Sequence, residues 1–330
     1  MREFSYERAA GPDAARESAS DGARLIAGGT NLLDLMKHEI ETPDRLIDVN
    51  GIGLDGIEAD GQGLRIGALV RNADMAADHR VLRDWPLLSR ATLAGASAQI
   101  RNRATTAGNL MQRTRCPYFY DLGSACNKRA PGTGCDARDG ANRYAAILGT
   151  SASCIATYPG DMAVALVALD ARMEIEGQDG IRSVPVAEFH RLPGDTPDQD
   201  TILSAGDLIR AVTLPAPTGG RQVYRKLRDR RSYAFALVSV AVDVTVTDGR
   251  IARASLALGS VAARPWRRPE AEAVLIGEAP SLQLFGVAAD QLLDGAQGFG
   301  SNDFKIPLAR RAIIAALAEA TGTDIAWGAV

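Results

Sequence analysis

Ala23-Arg24-Leu25-Ile26-Ala27-Gly28-Gly29-Thr30-Asn31-Leu32-Leu33-Asp34-Leu35-Met36-Lys37 changes its periodicity part-way along. The apolar run 25–27 reads as a strand, Gly28 and Gly29 as a tight turn, and Leu32, Leu33, Leu35 and Met36 recur at helical spacing. Residues 44–49 read as a second strand, so the stretch predicts a βαβ-like unit that closes near Asn50. Two glycines in the turn let a backbone come close to a ligand with its N–H groups turned inward. The helix that follows directs its positive end at the same spot, and together these suit a phosphate or pyrophosphate. Thr30 and Asn31 add side-chain donors or cap the helix. The spacing is not the Gly-x-Gly-x-x-Gly dinucleotide fingerprint, and no Gly-Lys-Ser/Thr follows as in a P-loop. An ordinary strand–helix turn is the simpler reading of the same residues, so the turn alone leaves the ligand open.

A new segment opens at Gly53, with a strand predicted over 64–69, a helix capped by Asn72 and another helix over 85–96. Residues 112–153 are rich in Gly, Pro, Arg, Asn and Cys and show little periodicity; a loop this long inside a compact domain is usually functional. Helical spacing returns over 161–169, and strands are predicted over 172–176 and 208–214. Pro215-Ala216-Pro217-Thr218-Gly219-Gly220 reads as a linker. Beyond it, strand-like runs over 235–247 and 251–260 are joined by Asp248-Gly249, a strong hairpin signal. Helices are predicted over 270–276, 281–293 and 307–320. The expected organisation is a domain of residues 1–216, divided into subdomains at about 1–52 and 53–216, followed by an α+β domain of residues 217–330.

The 330 residues are 46% hydrophobic and 23% charged, with 33 glycines. This is a soluble globular composition with length enough for two or three domains, not a disordered chain. Lys and Arg number 37 against 40 Asp and Glu, a net charge of −3 that argues against nucleic acid as a partner. No apolar run reaches about 18 residues, so no membrane span is expected. Met1-Arg2-Glu3-Phe4-Ser5-Tyr6 carries no apolar signal core and no twin arginine. The expected compartment is the cytoplasm, or the periplasm if the chain is exported with a partner.

Asn102-Arg103-Ala104-Thr105-Thr106-Ala107-Gly108-Asn109-Leu110 is a second donor-rich loop, with two hydroxyls, two amides and a glycine able to face a diphosphate or ribityl chain without crowding it. Its plain alternative is a polar turn. Cys116, Cys126, Cys135 and Cys154 are the chain's four cysteines, spaced C-x9-C-x8-C-x18-C within one loop. Four thiolates suit an iron–sulfur cluster or structural zinc, and two disulfides are equally compatible with the spacing. Arg113, Arg115, Lys128 and Arg129 would offset the negative charge of a thiolate-bound cluster, or form a solvated loop. Asp161 opens a helix after Pro159-Gly160, where it serves the helix dipole or binds a ligand's ribose hydroxyls or amide. In the basic run 221–231, strand alternation puts Tyr224, Lys226 and Arg228 on one face. His38, His79 and His190 have no neighbours in ligand spacing and read as structural.

The two loops, 27–32 and 99–110, resemble the flavin-binding loops of the FAD subunit of molybdenum hydroxylases, the xanthine dehydrogenase family. Tyr224-Arg225-Lys226-Leu227-Arg228 resembles the start of that family's C-terminal flavin-subunit domain. The resemblance implies an α+β fold: an FAD-binding part of the vanillyl-alcohol oxidase/PCMH type with two α+β subdomains, then a C-terminal α+β domain with an antiparallel sheet. It implies that Ala27, Gly28, Gly29, Thr30, Asn31, Leu32 and Leu33, with Thr105, Thr106, Gly108 and Asn109, hold the FAD diphosphate. Asp161 would contact the adenosine or ribityl side and Lys226 would sit near the flavin. Ala107 departs from the glycine of many relatives. Arg115-Cys116-Pro117-Tyr118-Phe119, Cys126-Asn127-Lys128-Arg129, Gly134-Cys135 and Cys154-Ile155-Ala156-Thr157 resemble the insertion in bacterial aldehyde oxidoreductase flavin subunits that carries a [4Fe-4S] cluster on loop 112–154. That likeness, not the spacing, favours a cluster bound by the four cysteines.

The function so implied is electron transfer in a heteromeric aldehyde oxidoreductase, with no catalytic side chain of this chain's own because redox chemistry resides on FAD. A large subunit would carry the molybdenum cofactor, a small subunit two [2Fe-2S] clusters, and an external acceptor would take the electrons. A stand-alone flavin oxidase of the same fold is the alternative enzyme, although no acid–base residue for it is visible. A zinc-stapled, non-enzymatic binding module is the alternative outside enzymes.

Overall fold

The computed structural model describes residues 1–19 and 22–325. Its first sheet is parallel and small: β1 (Ser5–Arg8), β2 (Ala23–Ile26) and β3 (Arg45–Asp48), in the order β1-β3-β2. β2 and β3 pair from Ala23↔Arg45 to Ile26↔Asp48, with the helix Leu32–Lys37 in the crossover between them. Parallel neighbours require such a crossover, so the βαβ reading of the opening stretch holds.

The second sheet comprises β4 (Ile57–Asp60), β5 (Gly63–Gly67), β6 (Arg172–Gly177), β7 (Gly180–Pro185) and β8 (Leu208–Leu214). Its order is β4-β5-β8-β6-β7 and every pairing is antiparallel. β1, β4 and β7 lack the apolar alternation that predicts strands; they are short and largely exposed, and pairing with a neighbour creates them. The helix expected to be capped by Asn72 instead has Arg71 at its cap position and Asn72 as its first residue. Asn72 is buried, its backbone N–H donating to the Ala104 carbonyl at 2.9 Å.

The third sheet is an antiparallel meander of β9 (Arg221–Leu227), β10 (Val238–Thr247) and β11 (Arg250–Gly259). Asp248 and Gly249 turn the β10–β11 hairpin with φ of 51° and 73°, the two left-handed residues that a type I′ turn requires. The sheet is covered on both faces. Val240, Val242 and Val244 join the core made with the helices Leu282–Leu292 and Lys305–Thr321. Ala241 and Ala257 join the core of the second sheet, where every residue of the helix Asp161–Ala168 is buried. Small residues on that face let helix and sheet approach closely: a Cβ on Gly259 would lie 2.6 Å from Val164 Cγ2. A helix enclosed in this way is apolar on all sides.

Within residues 112–153 the one helix is the single turn Pro117–Tyr120, in agreement with a long structured loop. The loop's end is stitched to the C-terminal helices. Lys305, fully buried, donates through Nζ to the carbonyls of Ala145 at 2.8 Å and Ser260 at 2.6 Å. Asn302 Nδ2 donates to the carbonyls of Ala145 and Ala146 at 3.3 and 3.1 Å.

Burial brings the Lys305 pKa down to about 7, from 10.5 for a free lysine. Between those values the unfolded chain holds the extra proton, so this group makes the fold gain stability as pH rises from about 7 toward 10. The unfolding midpoint of the wild type is therefore expected to rise relative to that of Lys305→Met over this window. A difference between the two that does not change with pH would contradict the assignment.

Candidate functional site

A cleft of about 830 Å³ opens where the first sheet unit, the second sheet's helices, the long loop and the C-terminal domain meet. Of the residues read as a binding site, Thr30, Asn31, Gly108, Asn109, Asp161 and Lys226 line it. Ala27, Gly28, Gly29, Leu32, Leu33, Thr105 and Thr106 do not; they build the two loops behind the wall.

Gly28 shows why that stretch needs glycine. A Cβ there would sit 2.0 Å from the carbonyl oxygen of Arg103, so the two loops touch backbone to backbone. Gly29 adds a left-handed φ of 70°. Asn50 and Arg71 tie the same contact: Asn50 Nδ2 donates to the Ala27 carbonyl at 3.0 Å, Arg71 Nη2 to Asn50 Oδ1 at 2.8 Å and Arg71 Nη1 to the Arg103 carbonyl at 2.6 Å. Thr105 Oγ1 accepts from the Gly108 N–H and caps the short helix Thr106–Leu110, while Thr106 Oγ1 donates to the Val70 carbonyl. Ala107 packs on the core, so its methyl lies off the cleft wall.

Asn31, Asn72 and Asn142 line the cleft, and each has one side-chain atom shut away from solvent without a partner among the described residues. Asn31 Oδ1 accepts from the Arg113 N–H at 2.9 Å, but its Nδ2 has no partner among the described residues. Asn72 Oδ1 and Asn142 Oδ1 are likewise unpartnered.

The opposite wall is ionic. Lys226 Nζ donates to Asp161 Oδ2 at 2.7 Å and to the Ala94 carbonyl at 2.9 Å. Tyr224 Oη donates to Asp161 Oδ1 at 2.6 Å, and burial, followed by the neighbouring Asp161 charge, pushes the phenol's pKa well above its usual value. Arg228 Nη1 donates to the same Ala94 carbonyl at 3.3 Å. Tyr224, Lys226 and Arg228 thus share the face that strand alternation assigns them. His190 is buried with its Nε2 at 2.8 Å from the Leu110 carbonyl, and burial lowers its pKa to about 4, consistent with a structural role.

The four cysteines are free thiols and come together around a second, small cavity. Cys116 sits at the cap of the helix Pro117–Tyr120, and Cys126 faces Cys135 across a β-bridge. Cys154 follows where the loop ends, its Sγ accepting from the Ala156 N–H at 3.4 Å. Burial raises the pKa of Cys116 and pushes Cys154 up to about 11, with Lys128 pulling the latter down. Among the described residues no three Cys, His, Asp or Glu side chains are grouped to hold a single metal ion. Cys116, Ala137 and Ala156 line both cavities, so the thiol cluster abuts the cleft.

Sequence reasoning did not find the remaining wall. Asp229, Arg230, Tyr233 and Phe235 close the cleft from the C-terminal domain. Asp229 accepts from Arg143 Nη2 and Tyr144 Oη, each at 2.6 Å, latching this segment to the long loop. No spacing or motif marks these residues in the sequence; in the fold Tyr144, Tyr233 and Phe235 are exposed.

Comparison with known proteins is consistent along the whole chain. Residues 2–217 match the family described as the FAD binding domain in molybdopterin dehydrogenase, and residues 222–320 match the CO dehydrogenase flavoprotein C-terminal domain. The FAD-binding subunit of an Escherichia coli aldehyde oxidoreductase is 55% identical over 97% of this chain and 99% of its own length. The medium chain of a glyceraldehyde dehydrogenase from Sulfolobus acidocaldarius is 28% identical over 84% of this chain and 82% of its own. Among solved structures, a carbon monoxide dehydrogenase chain from Hydrogenophaga pseudoflava superposes with a TM-score of 0.76 at 25% identity, covering 98% of this chain and 99% of that one.

Gly28→Ala drives a methyl into the Arg103 carbonyl and is expected to cost about 1–3 kcal/mol while parting the two loops. A lower unfolding midpoint and reduced FAD content in the purified protein are the expected readings; full flavin at an unchanged midpoint would show the contact to be dispensable. Lys226→Met leaves Asp161 buried without its cation and is expected to destabilise by about 3–5 kcal/mol, measured by denaturant unfolding. A loss near zero would mean that the pair is open to water.

Proposed function

Because the chain belongs to the FAD-binding subunits of the molybdenum hydroxylases, we propose that it is the flavin electron-transfer subunit of a heteromeric aldehyde oxidoreductase. Its partners in this reading are a large subunit with the molybdenum cofactor, where the aldehyde is oxidised, and a small subunit with two [2Fe-2S] clusters that relay the electrons. FAD, when bound, supplies the redox centre that takes those electrons and passes them to an external acceptor. The observation that carries the reading is the cleft itself: its volume is that of a cofactor site, and the polar side chains of Thr30, Asn31, Asn109, Asp161 and Lys226 line it.

The chain's own task is binding, orientation and electrostatics. Thr30, Asn31, Gly108 and Asn109 stand on the wall formed by the two clamped loops and suit the diphosphate, with Ala27, Gly28, Gly29, Leu32, Leu33, Thr105 and Thr106 supporting them from behind. Asp161 and Lys226 fix the far wall; because each neutralises the other, their place in the cleft holds polar groups in position without a net charge. Among the described residues no helix is long and apolar enough to cross a membrane, and the compartment follows from the partners.

Cys116, Cys126, Cys135 and Cys154 hold a [4Fe-4S] cluster in this reading. Thiols from four points of one loop that ring a common cavity suit a polynuclear cluster, whose ligands stand farther apart than the four around one zinc ion, each about 2.3 Å from the metal. In this reading the cluster lies beside the flavin, an arrangement supported by the wall that the cavity shares with the cleft.

Co-expression with the two partner genes tests the assignment. The purified complex is expected to be yellow-brown and to release FAD on denaturation. Cys126→Ser is expected to lose the iron of one four-iron cluster while keeping most of the FAD. A complex without flavin would remove the central assignment, and unchanged iron in Cys126→Ser would remove the ligand set.

A further inference from the structure

Five basic residues of the long loop lie near the cysteines in sequence; Arg138 donates to the Ser151 carbonyl at 2.8 Å and lies over the Phe299 ring at 5.1 Å, and the structure gives the other four different tasks. Arg129 braces the loop, donating to the carbonyls of Tyr118, Phe119 and Ser124. Arg115 lines the large cleft and lies over the Phe235 ring at 5.3 Å. Arg113 does not line the cysteine cavity; its guanidinium lies between Asp200 and Glu41 and over the Phe119 ring at 4.8 Å. Lys128 is, among the described residues, the charged side chain that lines the cysteine cavity.

Lys128 is 5% exposed, and its Nζ is held by Asp200 Oδ1 at 2.5 Å and the Pro197 carbonyl at 2.6 Å. Asp200 Oδ2 accepts from Arg113 Nε at 2.8 Å, and Arg113 Nη1 donates to Glu41 Oε1 at 2.5 Å. The result is a largely buried row of alternating charge, Lys128–Asp200–Arg113–Glu41, whose lysine lines the cysteine cavity and is close enough to Cys154 to favour its thiolate. Burying an ammonium is costly, and one that only braced a loop could be replaced by an apolar side chain of similar volume. Its position against four thiolate donors gives it an electrostatic role.

We propose that Lys128 is the charge-tuning residue of the cysteine-bound cluster, with Asp200 setting how much of its charge the cluster feels. The proposal rests on the reading that the four cysteines hold an iron–sulfur cluster. Each reduction adds one electron to a centre already made negative by four thiolates, and a cation in a low-dielectric wall stabilises the reduced form more than the oxidised form. Lys128 therefore raises the reduction potential of the cluster, and the Asp200 carboxylate moderates that effect.

The test is an EPR-monitored redox titration of the intact complex in wild type, Lys128→Met and Asp200→Asn, with iron and FAD quantified for each. The signal lost in Cys126→Ser identifies the cluster. Lys128→Met is expected to retain iron but to lower the reduced-to-oxidised ratio at fixed potential by about tenfold or more, a fall of about 59 mV for a one-electron couple. Asp200→Asn leaves the lysine less compensated and is expected to move the potential the opposite way. Unmoved potentials, or shifts of the same sign in both variants, would overturn the charge role while the cluster reading stood. If Lys128→Met sheds its iron, the sign of the Asp200→Asn shift decides alone. Wild-type complex that lacks any signal or iron dependent on Cys126 would overturn both readings.

Discussion

A buried ion pair holds the halves of this protein in register. Asp161 opens the helix that lies between the two cores, and Lys226 stands on the first strand of the C-terminal sheet. Neither charge reaches much water, so each requires the other, and Tyr224 and the Ala94 carbonyl complete their hydrogen bonding. Because the pair forms one wall of the cleft, the relation between the domains and the shape of the binding site are set by the same contact.

The opposite wall follows a different physics. There the constraint is steric: the Gly28 backbone meets the Arg103 carbonyl at a distance that excludes any side chain. The sequence suggested that the glycines make room for a ligand; the structure shows that Gly28 makes room for the other loop. The effect on the cleft is indirect, since the contact fixes where Asn31 and Asn109 stand on its wall. The helix between the cores shows the same economy of space, with Ala241, Ala257 and Gly259 allowing it to lie close against a sheet whose other face presents valines to the C-terminal helices.

The long loop is where ion pairs replace regular structure. It contains one helical turn, and its order comes from Arg129 gripping three carbonyls, from Asn127 bonding to Gly134 and Ser153, and from the charged row that ends at Lys128. These contacts gather four cysteines from positions up to eighteen residues apart in the intervals between them. They also set the cysteine cavity directly against the cleft.

The chain's local chemistry was legible wherever neighbours in sequence decide it. The βαβ unit around Gly28 and Gly29, the Asp248-Gly249 hairpin, and the shared face of Tyr224, Lys226 and Arg228 all follow from periodicities of two or 3.6 residues and from the few residues that accept left-handed backbone. The motifs carried the family resemblance for the same reason, because loop chemistry is local. What only the tertiary structure decided depends on residues brought together from far apart. Short exposed strands such as β1 and β7 exist because a partner strand offers hydrogen bonds, and Asp200 meets Lys128 across 72 positions. No spacing rule could reveal which of the loop's basic residues lines the cysteine cavity, or that Asn31, Asn72 and Asn142 converge on one cleft, because burial and charge pairing are properties of the folded volume and not of the order of residues along the chain.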